Sequence, residues 1–235
     1  MKYEAILFDL DGTLFPISND RFEKIYLNSL ATKFAGDIDT QLLLKSMWES
    51  LAVMVKDTTT SRNDEVFYQA FGERVGTDLV TALKPKFDEY YLNEFAILKE
   101  HLDDNSEMIE AIQLLKEEGY QLVIATNPMF PPSAVEQRIL FSGLNIADFI
   151  YYSDFEKHTR TKPTPEYYEE VCSINNLDPK HCLMVGNDMK EDVSAQAVGM
   201  DTWLITDYLI KSDSDYSDWQ GTRKQFLEKA KEEFI

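Results

Sequence analysis

The sequence predicts an α/β fold, a doubly wound and mostly parallel sheet, with an all-α helical bundle inserted after the first strand. Short apolar runs at 5–7, 122–125, 149–152, 182–185 and 202–205 lack polar alternation, as befits strands covered on both faces. From about residue 103 these runs alternate with segments of helical periodicity, so successive strands should be joined by right-handed crossovers and lie parallel. Residues 17–96 show helical spacing and no convincing strand. The expected division is an α/β core of 1–16 plus 97–235 and a helical cap domain of 17–96. A chain of 235 residues is long enough to bury such a core.

Taken in order, Ala5-Ile6-Leu7 opens the sheet, and the run stops at Asp9, Asp11 and a Gly12-Thr13 turn. Phe22, Ile25, Tyr26, Leu30 and Phe34 mark a first helix, and Leu43, Met47, Leu51 and Val55 a second. Phe67, Ala70 and Phe71 mark a third, whose stripe Arg74 breaks, and Leu83 and Phe87 lie in a fourth. Turn-like pieces at 36–37, 57–61 and 76–78 separate them. The stretch predicts a compact bundle of about four helices. Residues 106–118 form a helix with Met108, Ile109, Ile112 and Leu115 inward, stopped by Gly119. A helix over 132–142 closes at Gly143, and Thr164 caps another that Pro165 opens and that runs to about Asn176. Residues 192–198 make a short helix ended by Gly199, and the Lys- and Glu-rich tail 218–234 a surface helix.

The formal net charge of −19 argues against nucleic acid or an anionic membrane surface as partner, and requires any anionic substrate to be drawn in by a local site. No stretch approaches a transmembrane helix, and the N-terminus lacks a basic-then-apolar secretory pattern. The two cysteines, Cys172 and Cys182, suggest neither a disulfide framework nor a zinc site, and a reducing cytoplasm fits. The oligomeric state is open between monomer and homodimer, because the apolar faces of the cap helices are explained by the bundle's own core.

In a parallel sheet ligands bind beyond the carboxyl ends of the strands. Those ends carry Asp9 and Asp11, Thr126 and Asn127, Ser153 and Asp154, and Asn187 and Asp188, and the helical stretch leaves the first strand above the same edge. Asp9 and Asp11 point to one side and repel unless a cation sits beside them, for which Mg²⁺ is the natural candidate. Gly12 permits a sharp turn and close approach, and Thr13 offers a hydroxyl and an N–H to an anion. Alone, the pair suits an acidic turn equally well. Asp188 and Asp192, four apart, share a helix face, although a solvated helix start explains them as well. Lys162 is either a surface lysine or a fixed positive charge on a phosphoryl oxygen, and Thr126 either a strand-ending hydroxyl or a phosphate ligand. What decides is that all fall at strand ends of one sheet.

With Asp9-Leu10-Asp11-Gly12-Thr13, Thr126, Lys162-Pro163 and Gly186-Asn187-Asp188-Met189-Lys190-Glu191-Asp192 in that order, the chain resembles the haloacid dehalogenase superfamily, in its phosphatase-type branch with a helical cap on a Rossmann-like core. It departs from many relatives in having Asn187, not Asp, directly after the glycine. The resemblance implies a magnesium-dependent phosphohydrolase acting on a small phosphate monoester. Asp9 would be the nucleophile forming an aspartyl-phosphate, and Asp11 the general acid and base. Thr126, with the backbone of Gly12 and Thr13, would bind phosphoryl oxygens, and Lys162 would balance their charge. Metal ligands are expected among Asp9, Asp11, Asp188 and Asp192. The acid at Asp11 argues against carbon–halogen cleavage, since halide leaves without a proton. A sugar phosphomutase and a non-catalytic binding protein are the alternatives. Substrate contacts are sought among Asn19, Arg21, Arg62 and Asn63 of the cap, of which Arg62 could hold a second anionic group, with His158 and Arg160 at the rim and Asn127 orienting Asp9 or the substrate.

Overall fold

A computed structural model describes residues 2–212 and 216–234; Met1, 213–215 and Ile235, which fall in the expected core, lie outside the described residues. The first strand, β1 (Ala5–Phe8), is buried along its whole length. Its period of two sends Ala5 and Leu7 to one face and Ile6 and Phe8 to the other, each into a separate apolar core. Four helices follow, α1 (Asn19–Phe34), α2 (Thr40–Lys56), α3 (Asn63–Val75) and α4 (Thr77–Leu92), then a 3-10 stretch Glu94–His101. The chain returns through α5 (Ser106–Glu117), β2 (Gln121–Ile124), α6 (Pro132–Phe141), β3 (Tyr151–Tyr152), α7 (Pro165–Asn175), β4 (Cys182–Gly186) and β5 (Asp201–Ile205). It ends in β6 (Trp219–Gly221) and α8 (Arg223–Lys229).

The six strands lie in the order β3-β2-β1-β4-β5-β6, and all neighbouring pairs are parallel. Ala5 stands opposite Gln121 on one side and Cys182 on the other, which makes β1 central. Helices α5, α6 and α8 pack on the Ile6/Phe8 face and α7 on the Ala5/Leu7 face. The fold is thus the doubly wound, parallel α/β architecture expected, with a helical bundle inserted behind β1. The helix stops fall at the glycines anticipated: Gly119, Gly143 and Gly199 all have positive φ.

The bundle is tied to the sheet by aromatic packing and by backbone. Phe130, in the loop after β2, packs against the rings of Phe22, Tyr26 and Tyr91. At the start of α3, Asn63 N–H donates to the carbonyl of His158 (2.8 Å) and Asp64 N–H to that of Phe155 (2.9 Å). Among the described residues no helix is long and apolar enough to cross a membrane.

Three expectations need correction. The sheet has a sixth strand, β6, inside the segment expected as helix; it is three residues long, too short for an alternation to show. The helix begins only at Arg223, where Thr222 and Gln225 form a reciprocal capping box. It lies at the surface as expected, with Lys224, Glu228, Lys231, Glu232 and Glu233 exposed and Phe226, Leu227, Ala230 and Phe234 buried, Phe226 standing edge-on to Phe8 (5.9 Å) and Trp203 (5.7 Å). The segment before Gly199 is a 3-10 helix, Val193–Val198, and β3 holds only two of the four residues expected.

Since Phe226 closes the core over β1 and β5, Phe226→Ala should lower unfolding free energy by about 3–5 kcal/mol, read as a shift in denaturant midpoint. A phenylalanine on the exposed face of the helix would lose far less.

Candidate active site

The carboxyl ends of β1, β2 and β4 meet at one edge of the sheet, below the helical bundle. Asp9 follows β1 directly, its N–H donating to the Val185 carbonyl of β4 (2.8 Å). The chain then turns back on itself through bonds from Gly12 N–H to the Phe15 carbonyl (2.9 Å) and Phe15 N–H to the Leu10 carbonyl (2.7 Å). Gly12 takes φ +80°, and a Cβ there would stand 2.2 Å from Asn187 Nδ2, so both the conformation and the space demand glycine. Behind the turn, the buried guanidinium of Arg223 donates to the carbonyls of Thr13 and Gly12 (both 3.2 Å).

The ammonium of Lys162, fully buried, donates to Asp9 Oδ1 (2.9 Å) and Asp192 Oδ1 (2.6 Å). Burial alone would favour loss of its proton, but the carboxylates of Asp192 and Asp9 outweigh that and hold its affinity for a proton well above the ordinary value. Burial also pushes the Asp9 carboxyl up from the usual range; Lys162 opposes this, while Asp192 and Asp11 add to it. Asp192 uses its second oxygen to accept the N–H groups of Asn187 (2.9 Å) and Asp188 (2.8 Å). Asp188 accepts from Lys190 and Glu191 N–H (2.7 and 2.8 Å) with one oxygen only.

Asp11 is held from the other side. The guanidinium of Arg138, buried in α6 beneath the Phe130 ring, donates to Asp11 Oδ2 and to the Ala134 carbonyl. Asp11 Oδ1 and Asn127 Oδ1 are buried and have no hydrogen-bond partner. Asn127 Nδ2 donates to Glu191 Oε2 (2.9 Å). Glu191 is driven up to about 7, by burial first, with Lys162 opposing and the charges of Asp192 and Asp188 adding. The Thr126 carbonyl, which accepts the hydroxyls of Ser153 (2.6 Å) and Tyr167 (2.8 Å), anchors the end of β2.

Of the residues singled out in the sequence, Asp9, Asp11, Thr126, Asn127, Asp188 and Asp192 line one cavity of about 310 Å³, and Lys162 lies against it through Asp9. Asn19 lines it too. Gly12 and Thr13 are not in its wall; the Thr13 hydroxyl donates to Asn187 Oδ1 (3.3 Å), tying the first loop to the fourth. Arg62 does not reach the cavity: it sits at the start of α3, half exposed, paired with Asp64 (2.9 Å) and Glu65, and its charge is spent there. Arg21 pairs with Asp103 (3.1 Å). Asn63 donates to the carbonyls of Pro128 and Arg160, and Arg160 to those of Thr58 and Thr59, so both fasten bundle to sheet. His158 is buried between Tyr151 and Glu170. Sequence reasoning missed Arg138, Glu191 and Arg223. Glu191 could have been found inside the acidic run 188–192; nothing local marks the two arginines, which act across 127 and about 210 residues of chain.

The four expected ligands do not form one cage. Among the described residues no group of three or more His, Cys, Asp or Glu is placed to hold a metal, because Asp192 is spent on Lys162 and two N–H groups and Asp11 is turned to Arg138. Mg²⁺ requires less: one or two carboxylates, with water and phosphate oxygens completing the octahedron. Asp9 and Asp188, the partnerless oxygens of Asp11 and Asn127, and an all-oxygen donor set fit that ion.

A family model described as haloacid dehalogenase-like hydrolase matches residues 3–199. The chain is similar to a pyrophosphatase of Bacillus cereus, 25% identical over 236 residues that cover 100% of this chain and 92% of the relative. It is also similar to an N-acetylmuramic acid 6-phosphate phosphatase of Pseudomonas aeruginosa, 25% identical over 93% of this chain and 88% of the relative. A predicted phosphoglycolate phosphatase from Haemophilus somnus has the same fold, with a TM-score of 0.60 over 98% of this chain and 99% of that one, at 18% identity.

The two acids of the fourth loop should separate in stability. Asp192→Ala strands a buried ammonium and two N–H groups, and should cost about 3–5 kcal/mol in denaturant unfolding. Asp188→Ala should cost about 0.5–1.5 kcal/mol.

Proposed function

Because the chain belongs to the haloacid dehalogenase-like hydrolases, we propose that it is a magnesium-dependent phosphohydrolase cleaving a small phosphate monoester through a phosphoryl ester of Asp9. The observation that carries this reading is the buried Asp9–Lys162–Asp192 chain at the end of the central strand, with Asp11 two residues on in the same cavity wall. It takes residues 17–96 as a cap domain above a core of 1–16 and 97–235. The buried free thiols of Cys172 and Cys182 support a reducing, cytoplasmic setting.

With Oδ1 fixed by Lys162, the other oxygen of Asp9 attacks phosphorus; the bond from phosphorus to the ester oxygen breaks, and its electron pair leaves with that oxygen. Asp11 gives the departing oxygen its proton. In the second half Asp11 takes a proton from water as that water attacks phosphorus, and the bond between phosphorus and Asp9 breaks to release phosphate. Asp9 and Asp188 would hold Mg²⁺, which would supply the positive charge that lets a carboxylate approach a phosphoryl group. Thr126 binds an equatorial oxygen, and Lys162, held behind Asp9, offsets the charge that develops there in the transition state. Arg138 sets the direction of the Asp11 carboxylate, and Asp192 acts as a positioning residue for Lys162. A general acid at the position of Asp11 also suits an oxygen leaving group, which needs a proton, rather than halide, which does not.

Phosphate release from an aryl phosphate in the presence of Mg²⁺ tests the reading. Chelation should abolish turnover and added Mg²⁺ restore it, Asp9→Asn should fall to background, and Lys162→Met should lose about 10²–10³-fold in kcat. Metal-independent turnover, or an active Asp9→Asn, would overturn it, and isomerisation of a sugar phosphate without phosphate release would point to a mutase.

A further inference from the structure

The cavity has two unlike halves. The floor, at the strand ends, is polar, whereas the roof is built from the apolar side chains of the bundle. On α2, Leu44, Met47, Trp48 and Leu51 recur at helical spacing and all line the cavity. The bundle's own core takes a different face of that helix, centred on Leu43, Ser46, Ser50 and Met54. Met47 belongs to that core as well, and Leu44 and Leu51 pack against its edge, so the stripe lies between the bundle core and the cavity. Trp48 stands 49% exposed at the mouth. The side of the stripe that lines the cavity is left for the contents of the cavity to pack against.

Charge narrows the contents further. The charged side chains lining the cavity, among the described residues, are Asp9, Asp11, Glu23, Asp188, Glu191 and Asp192, all acids. The cations nearby are ion-paired, Lys162 with Asp9 and Asp192, Arg138 with Asp11 and Arg62 with Asp64; Arg138 Nη2 has no hydrogen-bond partner, but none of the three side chains lines the cavity. The roof hydroxyls of Tyr26 and Tyr91 bond to each other (2.9 Å). A carboxylate or second phosphate on the leaving group would be stripped of water beside Glu23 with no cationic side chain in the cavity wall to receive it, which is costly. An uncharged ring gains the whole of its burial instead.

We propose that the ester cleaved here carries an uncharged, largely apolar leaving group, seated on the Leu44–Met47–Trp48–Leu51 stripe. This rests on the phosphohydrolase reading and names its substrate class, and it runs against carrying over pyrophosphate or phosphoglycolate from similar proteins. The phosphoryl group occupies the floor and the alcohol the roof.

The test compares benzyl phosphate with phosphoglycolate, pyrophosphate and choline phosphate as substrates of the full chain with Mg²⁺; benzyl phosphate is chosen because its leaving group is not chemically activated. We expect its kcat/KM to exceed each of the others by at least about tenfold. Leu51→Arg, at a partly exposed helix position, should reverse the order between benzyl phosphate and phosphoglycolate, and Trp48→Ala should raise KM for benzyl phosphate more than for phosphoglycolate. Equal or better turnover of any charged ester would overturn the proposal. Equilibrium dialysis with 1-naphthol, which has no phosphate, separates the two readings. Binding that Leu51→Arg weakens, with no ester hydrolysed, would sink the phosphohydrolase reading and leave the cavity's selectivity standing. Hydrolysis without naphthol binding would do the reverse.

Discussion

A buried ammonium between two carboxylates holds this site together. Lys162 reaches Asp9 at 2.9 Å and Asp192 at 2.6 Å, and its side chain is wholly shielded from solvent. Desolvating one ammonium costs several kcal/mol, and a single buried carboxylate does little more than offset it. Two carboxylates shift the balance, which is why the Lys162 charge persists. Its proximity to both the first and the fourth loop means that three chain segments, from the ends of β1 and β4 and the loop before α7, are registered against one another by one charge.

That registration explains the division of labour among the acids. Asp192 completes the network and closes its own loop through the N–H groups of Asn187 and Asp188. Asp188, with one oxygen uncommitted, is left facing the cavity. Asp11 is aimed by Arg138 rather than by its own strand, and the Gly12-Thr13 turn is gripped from behind by Arg223. Guanidinium groups suit both tasks, because a planar fork fixes direction as well as charge.

The same economy leaves no lysine or arginine, among the described residues, in the cavity wall. Arginines that could have faced a charged substrate instead clamp the bundle to the sheet or cap its helices, so the cavity combines a strongly negative floor with an apolar ceiling. Within one superfamily fold, selectivity of this kind is set by what the inserted helices present, while the strand ends keep the chemistry constant.

What the sequence determined by itself was whatever depends on near neighbours. The buried strands at 5–7 and 182–185, the helix stops at Gly119, Gly143 and Gly199, and the gathering of Asp9, Asp11, Thr126 and Asp188 at one sheet edge follow from periodicity, turn chemistry and the crossover rule, each local or topological. Only the tertiary structure decided that Arg62 is spent on Asp64, that Asp192 serves Lys162, that Arg138 and Arg223 brace a loop from far along the chain, and that Trp219–Gly221 joins the sheet. A side chain's partner is fixed by packing between distant segments, and no spacing rule along the chain carries that information.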